Sequence, residues 1–372
     1  VMFYDERKRV VQKKSSAHLG GVDSEYLKYD FTGNVVGRKL IHRLASGAVV
    51  EERYTHTYDA MGRPLETSHK VDDAPWRTVS SLAYDHIGRT ISERRNGVSA
   101  LKSGFTYNIR SWMTGISGTL FSEVLRYQDG PAPQWGGMLS EMEWRSGAEA
   151  FFRKYSFVYD GLSRLMSAEY GGDEVAGAFS ESYTYDRNGN LTSLHRHGLN
   201  AHGAEKATLV SVSPSYSGNR LSAIGDAVFS YDAKGRQTAS SYGGNSGTSY
   251  NVLDLPLRMT LPGGISIDYA YSADGRKLME KVSGVSAAVT RDYCGTLLYE
   301  GGALKKFFFG GGYVDMGGQS PSYHFFLCDH LGSVRAVASE DGMVEQVSHY
   351  YPFGSRFSDP RTASSSSDNR ML

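Results

Sequence analysis

The sequence has very little cysteine and no excess of charge of either sign. It contains two cysteines, Cys294 and Cys328, in 372 residues. Two cysteines are too few for a disulfide framework, so we expect two unpaired thiols. Basic and acidic residues number 40 each, and this balance argues against attachment to nucleic acid by bulk charge. No apolar run approaches the roughly 20 residues of a membrane-spanning helix.

Proline and helical periodicity are also scarce. Ten prolines stand beside 43 glycines and 25 tyrosines, a composition typical of many strands and tight turns. Residues 147–152 favour at most one helical turn. No secretory signal precedes the strand-like phrase that begins at Val1. We therefore expect a piece of a longer protein, in which case the missing signal says little about the compartment.

A tyrosine-aspartate motif recurs along the chain. Its clear copies share Tyr-Asp, a glycine three residues after the aspartate, and then Arg or Asn: Tyr58, Asp59, Gly62 and Arg63; Tyr84, Asp85, Gly88 and Arg89; Tyr185, Asp186, Gly189 and Asn190; Tyr231, Asp232, Gly235 and Arg236. Weaker copies begin at Tyr29, Tyr159, Tyr216 and Tyr271. A unit of roughly 20–26 residues is the size of a repeated supersecondary element.

The residues of one unit predict a β-hairpin. Apolar and polar residues alternate before the motif, as in residues 79–84, which indicates a half-buried strand. The aspartate carboxylate starts a turn by accepting a backbone N–H, and the glycine supplies a left-handed conformation for a type I turn with a bulge. We expect the arginine to lie over a neighbouring tyrosine ring and to pair with the aspartate of an adjacent unit. The repeated residues are thus predicted to be structural.

The chain divides into three predicted parts. Residues 1–290 are the repeat region, with an irregular insertion near 116–143 that is rich in glycine and proline. Residues 291–358 form a segment of different texture, which contains two further phrases: Asp329, His330, Leu331, Gly332 and Arg335, and then Tyr351, Pro352, Phe353 and Gly354. The serine-rich residues 359–372 are predicted to be a disordered or truncated tail.

These residues resemble a known family. The repeated motif is similar to the YD repeats of bacterial Rhs proteins, their insecticidal toxin-complex relatives and animal teneurins. The two phrases in residues 291–358 look like the Rhs repeat-associated core domain, and residues 107–112 resemble its Bacteroidetes branch. The resemblance covers nearly the whole chain, and the combination of repeat and C-terminal phrases is its most specific part.

The resemblance implies an all-β fold in which a ribbon of YD-repeat hairpins spirals into a hollow shell or barrel, here an incomplete shell segment. In polymorphic-toxin members the shell encloses a C-terminal toxin that the core releases by cleaving the chain. This sequence stops at Leu372, and Asp359-Pro360 is followed by Arg361 instead of the glycine-containing cleavage motif. We therefore assign neither the protease nor the toxin of the family to this chain.

A few residues could form a catalytic or metal-binding site, and each of them also has a structural interpretation. Asp329, His330 and Arg335 resemble a general-base site, but neighbours in a strand face opposite sides, so a turn is the favoured interpretation. His195, His197 and His202 have a spacing that suits a metal, but no cysteine or carboxylate set completes it. No nucleophile elbow and no P-loop lysine is present. We predict no catalytic residue, no metal and no cofactor.

The favoured hypothesis is a structural shell segment of a large secreted or envelope-associated protein, with a toxin or effector module of the same parent chain as its partner. One alternative is an adhesin that binds cell-surface glycans by stacking sugars on exposed tyrosines, although tyrosines at strand spacing favour a core. Another is an autoproteolytic shell whose protease segment is absent here.

Overall fold

Within each sheet, strands pair with their neighbours in sequence and in antiparallel register, and most are joined by short turns. The computed structural model describes residues 1–147, 149–172, 175–200, 202–203, 205–357 and 359. Within these residues the only helical elements are three 3-10 turns, at Ser99–Leu101, Tyr242–Gly244 and Pro262–Gly264. The fold is all-β, as predicted.

The first sheet is a meander of seventeen strands. The strands are β1 (Met2–Tyr4), β2 (Val10–Ser16), β3 (Gly21–Tyr29), β4 (Val35–Leu44), β5 (Val49–Tyr58), β6 (Pro64–Val71), β7 (Arg77–Tyr84), β8 (Thr90–Arg94), β9 (Lys102–Tyr107), β10 (Met113–Gly118), β11 (Phe121–Arg126), β12 (Glu141–Ser146), β13 (Arg153–Tyr159), β14 (Leu165–Gly171), β15 (Glu181–Tyr185), β16 (Leu191–Leu199) and β17 (Lys206–Val212). Each is hydrogen-bonded to the next, as in β5 and β6, where Tyr54 faces His69.

The rest of the described chain forms three further sheets of four, eleven and two strands. The four-stranded sheet comprises β18 (Pro214–Ser217), β19 (Arg220–Ile224), β20 (Ala227–Tyr231) and β21 (Gln237–Ser240). The eleven-stranded sheet comprises β22 (Gly247–Tyr250), β23 (Pro256–Thr260), β24 (Ser266–Tyr271), β25 (Lys277–Ser283), β26 (Val289–Cys294), β27 (Leu297–Glu300), β28 (Ala303–Phe309), β29 (Gly312–Asp315), β30 (Ser322–Cys328), β31 (Val334–Ser339) and β32 (Val344–Val347). The last hairpin is β33 (His349–Tyr350) and β34 (Arg356–Phe357).

The core lies between the first sheet and the eleven-stranded sheet. One continuous cluster of buried apolar residues includes Tyr54 and Trp144 from the first sheet and Phe309, Tyr323 and Phe325 from the eleven-stranded sheet. Successive side chains of a strand point to opposite faces of the sheet, so every second residue of each strand points into this core. Aromatic side chains from both sheets are thus prominent in the apolar surface buried between them.

The irregular insertion is shorter than the sequence predicted. Residues 113–118 and 121–126 are regular strands, and β11 pairs with β12 over six residue pairs from Phe121–Ser146 to Arg126–Glu141. Only residues 127–140 are irregular. The expectation of an insertion near 116–143 is therefore wrong at both ends, because the glycines and prolines of the loop obscured the alternation in Phe121, Glu123 and Leu125, which are all buried.

Three other predictions concern the domain division at residue 290, a helical turn at 147–152 and the C-terminal tail at 359–372. The sheet continues across residues 290 and 291, since Met279 of β25 pairs with Asp292 of β26. The division at 290 therefore does not coincide with a break in the sheet and stays a prediction. The possible helical turn at 147–152 is not formed among the described residues of that range, which are all except 148. The tail at 359–372 lies outside the described residues except for Asp359. Both cysteines are free, as predicted, and Cys294 is buried.

Candidate functional site: the turn clasps and the cavity beside them

The tight turn that follows Tyr58 shows how each copy of the motif folds. The N–H of Asp59 donates to the carbonyl of Arg63 at 3.0 Å, and the N–H of Gly62 donates to the carbonyl of Asp59 at 3.0 Å. Gly62 has a φ of +77°, the left-handed region that glycine adopts at little cost. The register shifts at Tyr58, so the turn carries a bulge.

The aspartate carboxylate organises this turn. Oδ1 of Asp59 accepts the backbone N–H groups of Met61 and Arg63, both at 2.9 Å, and Oδ2 accepts Nε of Arg63 at 2.6 Å. The backbone hydrogen bond from Arg63, together with its guanidinium, lowers the pKa of Asp59. The expected pairing of each arginine with the aspartate of an adjacent unit is wrong for Arg63, because Nε reaches the carboxylate of its own turn first. Arg236 contacts both its own Asp232 and Asp254 of the next turn.

The arginine also contacts the next copy of the motif. The guanidinium carbon of Arg63 lies 4.7 Å from the ring centre of Tyr84, and Nη1 donates to the main-chain carbonyl of Asp85 at 3.4 Å. The Tyr84 hydroxyl donates in return to the carbonyl of Pro64 at 2.8 Å. We call this set of contacts, from one turn aspartate through its arginine to the next tyrosine, a clasp.

Clasps of the same geometry recur along the chain. A guanidinium carbon lies between 4.6 and 4.9 Å from the next tyrosine ring in the pairs Arg9–Tyr29, Arg89–Tyr107, Arg164–Tyr185 and Arg236–Tyr250. Asp85, Asp160 and Asp232 hold their own arginines at 2.6–2.7 Å. Asn190 takes the place of arginine beside Asp186 and donates to its carboxylate at 2.8 Å. The turns that carry such an arginine are thus tied to the next turn through side chains as well as through the sheet.

Three further copies were not identified as turns from the sequence. Asp5, Asn108 and Asn251 each accept two backbone N–H groups through a side-chain oxygen, as Asp59 does. Their left-handed residues are Lys8, Ser111 and Asp254. These turns lack the glycine of the motif, so the signal in the sequence was a tyrosine followed by Asp or Asn, at the spacing of the repeat for Tyr107 and Tyr250.

The weaker copies at Tyr216 and Tyr271 lack the clasp, and the copy at Tyr29 has Asn34 in place of the arginine. Tyr271 is followed by Ser272, and Arg276 pairs with the exposed Asp274 at 3.0 Å. The turn after Tyr216 is only two residues long, since Ser217 pairs directly with Arg220. Neither turn has a carboxylate one residue after the tyrosine, so neither arginine is held in position to stack.

The two C-terminal phrases are successive turns of the same kind. Oδ1 of Asp329 accepts the N–H groups of Leu331 and Ser333 at 3.0 and 2.8 Å, and Gly332 has a φ of +85°. Arg335 donates to Oδ2 of Asp329 at 2.7 Å and lies 5.1 Å from the ring centre of Tyr350. The Tyr350 hydroxyl donates to the carbonyl of Val334 at 2.9 Å, as Tyr84 does to Pro64.

The second of these turns runs from Tyr351 through Pro352 and Phe353 to Gly354. The N–H of Gly354 donates to the carbonyl of Tyr351 at 2.8 Å, and Gly354 has a φ of +85°. Tyr351 occupies the position of the aspartate, and its hydroxyl donates to the carbonyl of His197 at 2.6 Å. The C-terminal segment therefore repeats the turn of the N-terminal part and anchors it to β16.

Asp329 and His330 do not converge on one point. The backbone N–H and Nδ1 of His330 lie 3.1 and 3.0 Å from the carboxylate oxygens of Glu123, whereas Asp329 contacts Arg335. The turn separates the two side chains, and each pairs with its own partner of opposite polarity. This arrangement ties the C-terminal turn to β11.

The three histidines with metal-like spacing have separate surroundings. Nδ1 of His195 lies 3.0 Å from Oγ of Ser211, and Nδ1 of His197 lies 3.5 Å from Oγ1 of Thr208. His202 is exposed. Burial, with the nearby Lys206, lowers the pKa of His197. Among the described residues, no group of three or more His, Cys, Asp or Glu side chains is arranged to hold a metal ion.

A cavity of about 580 Å³ lies beside the C-terminal turns. One side is formed by both turn phrases, and the other by Tyr127, Met142, Phe157, Tyr159 and Leu165 of the first sheet and its loop. The walls are mainly aromatic and aliphatic. This is the size range of cavities that bind small ligands in proteins, roughly 300–1,000 Å³.

Comparison with known proteins places these features in a family. No curated protein matches the chain in sequence. The chain is similar in structure to TcdB2-TccC3, with a TM-score of 0.66, 15% identity, and coverage of 94% of this chain and 22% of the other. It is also similar to the Tc holotoxin pore of Photorhabdus luminescens, with a TM-score of 0.65, 15% identity, and coverage of 95% and 21%.

The chain thus spans about a fifth of the length of these solved structures, and the likeness establishes the fold. No helix among the described residues is long and apolar enough to span a membrane. A family model described as the teneurin YD-shell matches residues 135–365. Because this match covers more than half of the chain, the protein belongs to the teneurin YD-shell family.

Proposed function

We propose that this chain is a wall segment of an Rhs-type shell that encloses or presents another module of its parent protein. The observation that carries this proposal is the clasp, which joins successive turns by the same contacts at Arg9–Tyr29, Arg63–Tyr84 and Arg89–Tyr107. A β-ribbon whose successive turns are joined by side-chain contacts can be extended one repeat at a time, as in other repeat proteins. The partner we propose is a toxin or effector module of the same chain, in a secreted or envelope-associated protein.

The residues of the clasps favour a structural role over catalysis. Each turn carboxylate is already occupied by two backbone N–H groups and a guanidinium or amide, as at Asp59 and Asp186. A carboxylate held in this way has a lowered pKa and is a poor general base near neutral pH. The repeated tyrosines are also less available to stack on sugar rings, because an arginine covers one face of rings such as Tyr84 and Tyr107.

Electron microscopy of the full-length parent protein tests this proposal. We expect a closed β-shell in which the present chain forms part of the wall, with separate density for the enclosed or presented module. A parent protein lacking that module serves as the control and should show the same wall without the extra density. A solid globule or an extended rod would contradict the proposal, and an intact shell with no additional module would contradict its encapsulating part.

A further inference from the structure

The C-terminal hairpin β33–β34 is attached to the first sheet through a histidine that is almost fully buried. His349 is 3% exposed, and Phe357, its partner in the hairpin, stacks on its ring at 5.4 Å. The indole N–H of Trp144, in β12, donates to Nδ1 of His349 at 3.2 Å. Because both side chains are buried, this hydrogen bond is a direct link between the hairpin and the first sheet. We call this arrangement the docked hairpin.

The neighbours of His349 fix which of its two ring nitrogens carries a proton. An indole N–H can only donate a hydrogen bond, so Nδ1 of His349 must accept one and cannot carry a proton itself. The other ring nitrogen, Nε2, lies 3.3 Å from a carboxylate oxygen of Glu149, a neighbour that suits an N–H at that position. In the docked hairpin His349 is therefore a neutral imidazole with its proton on Nε2.

Several charged or titratable groups surround the imidazole. Those that face the ring or its charged neighbours are Glu149, Arg153, Tyr170, Asp329, Arg335 and Asp359. The guanidinium of Arg153 is shared by Glu149 at 2.7 Å, Asp359 at 2.9 Å and the hydroxyl of Tyr170 at 2.6 Å. Arg335 is paired with Asp329 at 2.7 Å. The carboxylate closest to His349 is therefore already engaged by a guanidinium.

Protonation of His349 is less favourable in the docked hairpin than in an opened one. Burial lowers the pKa of His349; Glu149 raises it in part, and the charges of Arg153 and Arg335 lower it. In an opened hairpin the imidazole returns to its ordinary pKa of roughly 6.5. The docked hairpin therefore binds fewer protons, so its stability is full above pH ~6.5 and declines as the pH falls below that value. Although burial raises it, the contacts with His349 and Arg153 lower the pKa of Glu149 to about 2, so this carboxylate stays ionised at pH 5.

We propose that acid loosens the attachment of the hairpin β33–β34 to the first sheet, because a proton taken from solvent by Nδ1 of His349 turns the acceptor of the Trp144 hydrogen bond into a second donor. Two N–H groups that face each other in a buried site leave both donors without an acceptor, which is costly. Other anchors of the hairpin, such as the hydrogen bond from the Tyr351 hydroxyl to the carbonyl of His197, do not change between pH 7 and pH 5. We therefore expect the hairpin to open more often and not to detach permanently. The inference goes beyond the shell function and does not depend on it.

Hydrogen–deuterium exchange at pH 7 and pH 5, corrected for the intrinsic pH dependence of exchange, tests the inference. The reporting amides are those of Ser348 and Tyr351, which donate to the carbonyls of Arg335 and Ser355 at 2.9 and 2.8 Å. We expect their opening constants to rise at least roughly tenfold from pH 7 to pH 5, as the difference in proton binding at one histidine allows. Equal corrected protection at the two pH values would overturn the inference.

His349→Gln is the main test variant, because glutamine can accept a hydrogen bond from Trp144 but does not titrate. Its opening constants should change by less than about twofold between the two pH values. His18→Gln is the matched control: it removes a histidine that lies 3.0 Å from the carboxylate of Asp292, between the β2–β3 turn and β26, and it should keep the pH dependence of the wild type. A full pH dependence in His349→Gln, or its loss in His18→Gln, would contradict the assignment to His349.

Trp144→Phe decides the matter if the hairpin of His349→Gln is already unprotected at pH 7. This variant keeps the histidine but removes the N–H that faces Nδ1, so protonation should cost less and the rise in the opening constants should be smaller than in the wild type. A rise as large as that of the wild type would refute the role of the Trp144 hydrogen bond. Nitrogen-15 resonances of the wild-type imidazole give an independent readout: Nδ1 of His349 should be unprotonated at pH 7, and an imidazolium at that pH would also overturn the inference.

Discussion

Left-handed backbone at one residue of each turn is a local requirement of the repeat. Gly62, Gly88, Gly189 and Gly235 all have φ between +77° and +94°. A side chain at such a position strains the backbone, most severely when it is β-branched. Lys8, Ser111 and Asp254 accept this strain in three turns, which shows that the carboxylate or amide anchor holds the turn even when glycine is absent.

Gly189, in the turn after Tyr185, is a position where the effect of backbone strain can be measured without an effect of steric crowding. A Cβ built at Gly189 meets no atom within 4 Å, so Gly189→Val should lose about 1–3 kcal/mol of unfolding free energy through strain alone. Gly161→Val is the control, since that residue also has open space around it but does not have a positive φ. Chemical denaturation measures both, and equal losses would show that the conformation at Gly189 is not the cause.

At the level of single residues, the sequence predicted those turns in which the tyrosine, the aspartate and the glycine of the motif are all present. Tyrosine, aspartate and glycine at fixed spacing indicated the copies at Asp59, Asp85, Asp186 and Asp232. The pattern could not reveal that the turn of Asp329 lines a cavity together with Tyr127, Met142 and Phe157, because the cavity depends on how the C-terminal turns pack against the first sheet.

The clasp is the element that joins one hairpin to the next. A single hairpin is marginally stable in water, and ladder hydrogen bonds alone leave the turns at the sheet edge exposed to solvent. The arginine adds a stacking contact, an ion pair and a carbonyl hydrogen bond at that edge. The sequence predicted the stacking but not the partner of the ion pair, because spacing alone does not tell which of two aspartates a long side chain reaches.

Arg89 is suited to measuring the contribution of a clasp. It pairs with Asp85 at 2.7 Å, donates to the carbonyl of Asn108 at 3.2 Å and stacks on Tyr107. Arg89→Met should therefore lower the unfolding free energy by about 1–3 kcal/mol, from the lost cation–π contact and hydrogen bonds.

The matched control for Arg89 is Arg276→Met. Arg276 pairs only with Asp274, at a site where both side chains are more than 60% exposed, 71% and 62%, so its loss should be within about 0.5 kcal/mol of zero. Equilibrium unfolding in urea compares the two variants. A loss at Arg89 no larger than that at Arg276 would mean that the clasps do not stabilise the edge of the sheet.

Across the whole molecule, polar side chains cross the core between the first sheet and the eleven-stranded sheet. Glu52 accepts the Tyr54 hydroxyl at 2.7 Å and lies 3.2 Å from Nε2 of His69. Nδ1 of His69 in turn lies 3.0 Å from the hydroxyl of Tyr323, 254 positions away. No local pattern predicts this meeting, because it depends on how two sheets pack. Buried groups of this kind are costly when one partner is removed.

Tyr323→Phe tests whether the two sheets unfold together. The change leaves Nδ1 of the fully buried His69 without its partner, so we expect a loss of about 1–3 kcal/mol in unfolding free energy. Hydrogen exchange should then accelerate in β5 and β6 as well as in β30, because the network joins the sheets. Tyr242→Phe, at an exposed ring, should leave exchange unchanged. Acceleration confined to β30 and its neighbours would show that the sheets are energetically separate and that the core between them does not act as one cooperative unit.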